Sequence, residues 1–345
     1  MKIKDMLTRT KYLGYYFKMM DWPRFKKFLR YAKKQTGWSS FRLYRDSIGS
    51  VYKYNIGWID YFIFRFFEKD PAERKLWMGT GFKYESDLQM NSKATRHLLE
   101  NKIHFYEAYD PFVLHATCTM EDLQKDSQKA RDVMANPTGK IVIKDALGQC
   151  GWDVEIVKAE DYTRETLISH MKSRGFNLAE EFIIQHPELA RLSDSGVNTI
   201  RIISQLNKNN EVEILGARLR ISVNTHVDNL ASGNIAAAVD AESGVVVGPG
   251  VYSDITKSNV SAHPVSGITL EGFQIPMWDK CLDMVKKAAL HKPENRSIGW
   301  DVVLTEKGPE LLEGNHNWCK ILWQLPVNQG LKSVLEKHLE ELPLN

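Results

Sequence analysis

Toward the end of the chain, Asp301 stands in the apolar run SIGWDVVLT, and Glu313 and Asn315 follow in ELLEGN after a turn at Lys307 and Gly308. Side chains alternate along a strand, so Glu313 and Asn315 fall on one face, and an antiparallel return brings that face beside Asp301. Oxygen-bearing groups on a face otherwise rich in Val, Leu and Trp are costly to bury without a partner. Magnesium is one such partner, since it takes oxygen ligands and commonly binds one or two carboxylates together with phosphate oxygens. A pair of solvated acids at strand ends is the alternative.

Two further groups of residues suit anions. Lys144 ends the apolar run KIVIK and leads into DALGQCG, where Gly148 and Gly151 would let backbone N–H groups approach an oxyanion beside the ammonium. Arg201 lies inside TIRIIS, while Arg218 and Arg220 share one side of ARLRI. Guanidinium forks match carboxylate and phosphate geometry, so three arginines on neighbouring strands point to an anion site. Structural ion pairs with Glu211 or Glu213 are the competing reading. Asn229 and the Ser232-Gly233-Asn234 segment add polar groups in a turn. No Ser-His-Asp or Cys-His arrangement stands out, and the four cysteines are too dispersed for a disulfide framework or a zinc site.

These residues need elements to hold them. Residues 1–75 read as short helices broken at Pro23, Gly37, Gly49 and Gly57. A helix is expected over 92–101, a strand over 112–116, a helix over 120–136, strands over 140–144 and 154–157, and a helix over 163–174. From 181 strands dominate: 181–185, 199–206, 212–221, 234–240, 297–305 and 310–313. Helices are expected over 277–290 and 331–342. The pattern is α+β with a strand-rich second half.

Charge is distributed unevenly. Residues 1–75 hold 18 Lys/Arg against 7 Asp/Glu, and the remainder 28 against 36, within a net charge of +3. The basic part is also aromatic, as in KYLGYYF, WPRFKKFLRY and YFIFRFF. Such a segment suits an anionic membrane surface, nucleic acid or a phosphorylated sugar carrier; the plainer expectation is a helical domain with an aromatic core and solvated lysines, and no nucleic-acid motif accompanies it. No run of about 18 apolar residues suggests a membrane span. No export signal is evident, so the expected location is cytoplasmic, with contact at the inner face of the membrane open.

Taken in order, the lysines, the glycine loop, the arginine strands and the Asp…Glu-x-Asn series resemble the ATP-grasp superfamily over residues 85–330. GVNTIRIIS, RLRISVNTHVDNLASGN and GWDVVLTEKGPELLEGNHNW are similar to its sugar-transfer-associated subfamily. The resemblance implies two α+β subdomains, 85–180 and 181–345, clasping ATP, behind a helical basic region at 1–84. It implies that Lys93 and Lys144 contact phosphates, with Gly148 and Gly151 in a lid. It places adenine against EFIIQHPEL, with Gln185 at the exocyclic amine and Glu188 at the ribose. Arg201, Arg220 and Asn229 would lie near the transferred phosphate, and Asp301, Glu313 and Asn315 would bind Mg2+. The implied activity is ATP-dependent carboxylate–amine ligation, joining an amino acid or amine to a sugar acid for capsule or O-antigen. A kinase using the same clasp, or a non-catalytic membrane-surface protein led by residues 1–75, are the alternatives. Residues 1–84 depart from the superfamily's usual α/β N-terminal domain, and the loop after Lys144 has fewer glycines than many relatives.

Overall fold

A computed structural model describes residues 3–148 and 154–342; Gly151 lies outside the described residues. The chain begins with helices α1 (Ile3–Lys18), α2 (Trp22–Thr36) and α3 (Ser40–Tyr54), then the short α4 (Asp60–Ile63) and α5 (Pro71–Leu76), and α6 (Thr80–Met90). Asp21 caps α2 by accepting from the Arg24 N–H at 3.0 Å, with Pro23 in the first turn, where a missing N–H costs nothing. Gly37 ends the helix in the left-handed region at φ 70°. Gly49 does not interrupt α3, contrary to expectation: a Ser39 cap and the buried Leu43, Val51 and Tyr54 hold the helix through it. Phe25, Phe28, Tyr61, Phe62 and Phe66 form one buried cluster with Trp58, while Lys26, Lys27, Lys33 and Lys34 stay exposed. The aromatics from Phe25 to Phe67 are therefore largely core, whereas Tyr15 and Phe17 of α1 and Phe41 of α3 remain exposed.

After α6 the expected helix over 92–101 is absent. Ser92 bonds the Ala94 N–H, and Asn295 exchanges bonds with the Thr95 hydroxyl and carbonyl, so side chains draw the backbone into turns. Only a 3-10 turn, Arg96–Leu99, precedes α7 (Lys102–Ala108). The strand expected over 112–116 is absent: Phe112 ends a 3-10 turn (Asp110–Phe112), and the Leu114 and His115 N–H groups beyond it donate to Glu310. Next come β1 (Thr117–Thr119), α8 (Met120–Lys125), α9 (Gln128–Met134), β2 (Lys140–Lys144), β3 (Val154–Lys158), α10 (Arg164–Arg174) and β4 (Leu178–Glu181). The single helix expected over 120–136 divides at Asp126, which adopts φ 52°, and Ser127 caps the second piece. The strands form an antiparallel sheet in the order β1-β4-β2-β3.

The rest of the chain contains α11 (Pro187–Leu192), β5 (Ile200–Leu206), β6 (Val212–Ile221), β7 (Ile235–Val239), α12 (Trp278–His291), β8 (Ser297–Thr305), β9 (Gly308–Asn315), α13 (Lys320–Gln324) and α14 (Lys332–Glu340). The strand expected over 181–185 ends at Glu181, and the chain then runs out of the sheet toward α11. β5 to β9 make an antiparallel sheet in the order β7-β6-β5-β8-β9. One of its faces, with Ile200, Ile202, Leu219, Trp300 and Val302, packs on Cys281, Val285 and Ala289 of α12. The other face carries the charged residues. Among the described residues, no helix is long and apolar enough to cross a membrane.

Gln324 ties the two ends of the chain together. Its buried side chain accepts from the N–H groups of Met78 (2.8 Å) and Leu331 (3.0 Å) and donates to the Met78 carbonyl (2.9 Å). Gln324→Ala leaves all three groups unpaired away from water, so we predict a loss of about 3 kcal/mol in urea unfolding. A change under about 0.5 kcal/mol would show that the connection is held by other contacts.

Candidate functional site

Strand register builds the site. Opposed residues on adjacent strands run Ala238, Arg218, Arg201, Asp301 and Glu313 from β7 to β9. Arg220 lies two residues further along β6, on the same face as Arg218. A bulge between Asp301 and Val302 interrupts the β8–β9 register just beside the acids, the kind of irregularity that re-aims a side chain. Asn315 sits opposite Gly299. A Cβ on Gly299 would come within 2.5 Å of Trp318 and 3.1 Å of the Arg201 side chain, so glycine is what lets Trp318 pack against β8 here, with Arg201 close beside it.

Asp301 is buried and accepts from Arg201 Nε at 2.5 Å and Nη2 at 2.9 Å, and from Arg220 Nη1 at 2.8 Å. Arg220 also pairs with Asp228 at 2.6 Å. Burial opposes the charge on Asp301, but the two arginines outweigh it and hold its carboxyl well below the usual carboxylate range. Arg218 is spent differently: its guanidinium donates to the carbonyls of Trp323 and Ala217. The structural pairing considered for these arginines, with Glu211 or Glu213, does not occur. Glu213 instead faces Lys337 and His338.

Glu313 has no arginine. Its neighbours are the Asn315 amide at 3.1 Å and Lys102 at 3.8 Å. Lys102 also donates to the Gly148 carbonyl at 2.7 Å, so one ammonium links β9 to the loop after β2. The donor set suits a hard cation. A carboxylate offers about four lone-pair sites; three of Asp301's are taken by arginine, leaving one on Oδ1, and the Glu313 carboxyl lies within hydrogen-bonding reach of Asp301. Among the described residues no three His, Cys, Asp or Glu side chains form a complete metal cage. An ion here would therefore depend on the amide and on oxygens supplied by a ligand.

On the other sheet, Lys144 pairs with Glu180 at 2.6 Å. Burial alone would push the Glu180 carboxyl up; the Lys144 ammonium, the His115 ring and the Tyr106 hydroxyl outweigh it and hold the group low. His115 in turn bonds Glu310 at 2.7 Å. A cavity of ≈ 220 Å³ opens beside this network, lined by His115, Glu181, Phe182, Ile184, Lys307 and Glu310 among others.

The structure thus brings together Arg201, Arg220, Asp301, Glu313 and Asn315; Lys144 lies on the other sheet, and Lys102 reaches the loop that follows it at the Gly148 carbonyl. Other expected residues lie elsewhere or are committed. Gln185 holds the 193–198 loop, donating to the carbonyls of Ser193 and Gly196 and accepting from Asn198. Asn229 caps a 3-10 turn by accepting from the Ala231 N–H. Glu188 is exposed and pairs with Arg191, and Lys93 is exposed in a turn. Lys102, Glu180, His115 and Glu310 escaped the sequence reading. A signal for Glu180 existed: adjacent carboxylates in the apolar run LAEEFII call for buried partners.

The model for sugar-transfer associated ATP-grasp matches residues 82–340. No curated protein matches the chain. Among solved structures, the L-amino acid ligase from Bacillus licheniformis is 15% identical, with a TM-score of 0.41, covering 79% of this chain and 52% of its own. Biotin carboxylase from Campylobacter jejuni is 11% identical with a TM-score of 0.41, covering 72% and 48%. The biotin carboxylase domain of 2-oxoglutarate carboxylase from Hydrogenobacter thermophilus is 14% identical with a TM-score of 0.38, covering 68% and 46%. The chain spans about half the length of these structures.

Glu180 yields a prediction whose sign follows from its depressed titration. Its contribution to stability is complete above the unfolded carboxylate range, about pH 4.3, and is lost as pH falls through the lower folded value. The stability difference between wild type and Glu180→Gln, about 3 kcal/mol at pH 7 for a broken buried pair, should shrink as urea unfolding is repeated from pH 5 to pH 3. A difference that widens on acidification would contradict the pairing.

Proposed function

The chain belongs to the sugar-transfer associated ATP-grasp family, and on that premise we propose that it is an ATP-dependent carboxylate–amine ligase. Its substrates under this reading are a sugar acid and an amino acid or other amine, joined during surface polysaccharide assembly such as capsule or O-antigen. The observation that carries the reading is Glu313. It stands beside Asn315, in no ion pair with an arginine, at the edge of a cluster in which Asp301 and Asp228 already pair with Arg201 and Arg220. That leaves one carboxylate and one amide oxygen open toward a cation.

Glu313, Asn315 and the remaining Asp301 lone pair would hold Mg2+, which when bound offsets charge on the phosphates of ATP. Lys144 would contact a phosphate, sharing its ammonium between ligand and Glu180. Lys102, tied to the Gly148 carbonyl, would keep the loop after β2 near the phosphates, and Lys93 would reach them from its exposed turn. The nucleobase would enter the cavity bordered by Phe182 and Ile184. There the Gln185 side chain is committed to its own loop, so contact would come from backbone groups. Arg201 and Arg220, oriented by their aspartates, would present fixed positive edges to the transferred phosphoryl group.

The chemistry balances without a protein nucleophile. A carboxylate oxygen of the acid bonds to the γ-phosphorus as ADP leaves. The amine nitrogen then bonds to the acyl carbon, the C–O bond breaks, and phosphate departs with that oxygen while the amine proton passes to solvent or phosphate. Positioning and electrostatics supply most of the acceleration. Residues 1–84 would help seat the acceptor, and a cytoplasmic site facing a membrane-linked carrier fits that task.

Incubating the protein with ATP, Mg2+ and a panel of sugar acids and amines tests the reading. Release of ADP and phosphate should require both an acid and an amine. Glu313→Ala should lower turnover by about 10²-fold or more. Release with one partner alone, leaving a stable phosphorylated product, would make the protein a kinase instead.

A further inference from the structure

A second pocket lies in the helical region that precedes the family match. It has a volume of ≈ 390 Å³ and lies between α3 and the start of α5, with Trp38, Arg42, Arg45, Gly49, Lys53 and Arg74 on its walls. Arg42, Arg45, Gly49 and Lys53 recur along one face of α3 at helical spacing. The single acid in the lining, Asp46, is fully engaged: it accepts from Arg74 at 3.0 and 2.8 Å and from the Tyr61 hydroxyl at 2.6 Å. Among the described residues, Arg42, Arg45 and Lys53 form no ion pair with any carboxylate. The Arg42 guanidinium is nevertheless held in place, 3.8 Å from the centroid of the Trp38 ring.

The four cations on the walls, Arg42, Arg45, Lys53 and Arg74, exceed the one acid by three charges, which attracts an anion, and that excess selects its class. A lone carboxylate would balance one of them. A diphosphate brings two to three negative charges and several acceptor oxygens, which suit two guanidinium forks and an ammonium. Gly49 opens the wall where the ligand would rest, since a Cβ there would meet nothing within 4 Å.

We propose that this pocket binds a diphosphate group, of the kind carried by a nucleotide-activated sugar or by a lipid-linked sugar. The site lies outside residues 82–340, so its ligand does not depend on how ATP is used. It gives the basic N-terminal region a task beyond solubility, that of holding the charged end of a sugar donor or acceptor.

Calorimetric titration of inorganic pyrophosphate into the full chain tests the site. Binding should weaken about tenfold for each guanidinium removed, in Arg42→Ala and Arg45→Ala. It should weaken at least as much in Gly49→Glu, which adds a carboxylate to the open wall without a clash. Glu313→Ala, at the other site, should bind pyrophosphate as wild type does, which separates this proposal from the ligase reading. UDP-glucose displacing pyrophosphate would identify a soluble nucleotide sugar as the source of the group. Sedimentation with phosphatidylglycerol vesicles that carry a polyprenyl diphosphate, lost in the same three variants and absent with phosphatidylglycerol alone, would identify a lipid-linked diphosphate; equal sedimentation with phosphatidylglycerol alone would overturn the diphosphate assignment. No pyrophosphate binding by wild type, or equal binding by wild type and by pocket variants with unchanged melting temperature, would overturn the proposal.

Discussion

The buried Asp301, held between Arg201 and Arg220, is the interaction on which the charged face of the larger sheet depends. Charges within a protein are tolerable only when paired and hydrogen-bonded, and here three adjacent strands each contribute a member. β5 supplies Arg201, β6 supplies Arg220 and β8 supplies Asp301. Asp228, from the segment after β6, completes the balance against Arg220 and also accepts from the Thr199 N–H and hydroxyl. The result is a rigid, nearly neutral array that leaves Glu313 and Asn315, on the edge strand, as the open oxygen donors.

That arrangement gives a physical reason for the two sheets to work together. Lys102 spans from Glu313 to the carbonyl of Gly148, and Tyr106, one turn along the same helix, faces Glu180 beside Lys144. Burial and the Glu180 charge both raise the Tyr106 hydroxyl far above its ordinary titration, so it remains neutral. α7 therefore makes contacts with charged groups of both sheets.

Much of this could be read from the sequence because strands obey a period of two. The acids and arginines in β5, β6, β8 and β9 were visible as charged residues interrupting apolar runs, and alternation alone put Glu313 and Asn315 on one face. Helix limits at Pro23 and Gly37 followed from backbone chemistry. What escaped was tertiary. Nothing local marks Asn295 as the residue that draws 92–95 into turns, or Glu310 as the acceptor that holds 114–115 out of a strand. Gln185 looked available because its partners, the carbonyls at 193 and 196, lie on a loop whose path is set only by folding. Lys102 and His115 were silent for the same reason, since single polar residues acquire meaning only from what they meet.

We propose that the open acid–amide pair serves transfer of the γ-phosphoryl group of ATP to a carboxylate. The most direct measurement uses an acid substrate labelled with oxygen-18 in its carboxyl group, with the amine, ATP and magnesium. An acyl phosphate route predicts one labelled oxygen in the released phosphate for each amide formed. Amide formation with unlabelled phosphate would contradict it, because the acid would then have been activated without a bond between its oxygen and the γ-phosphorus.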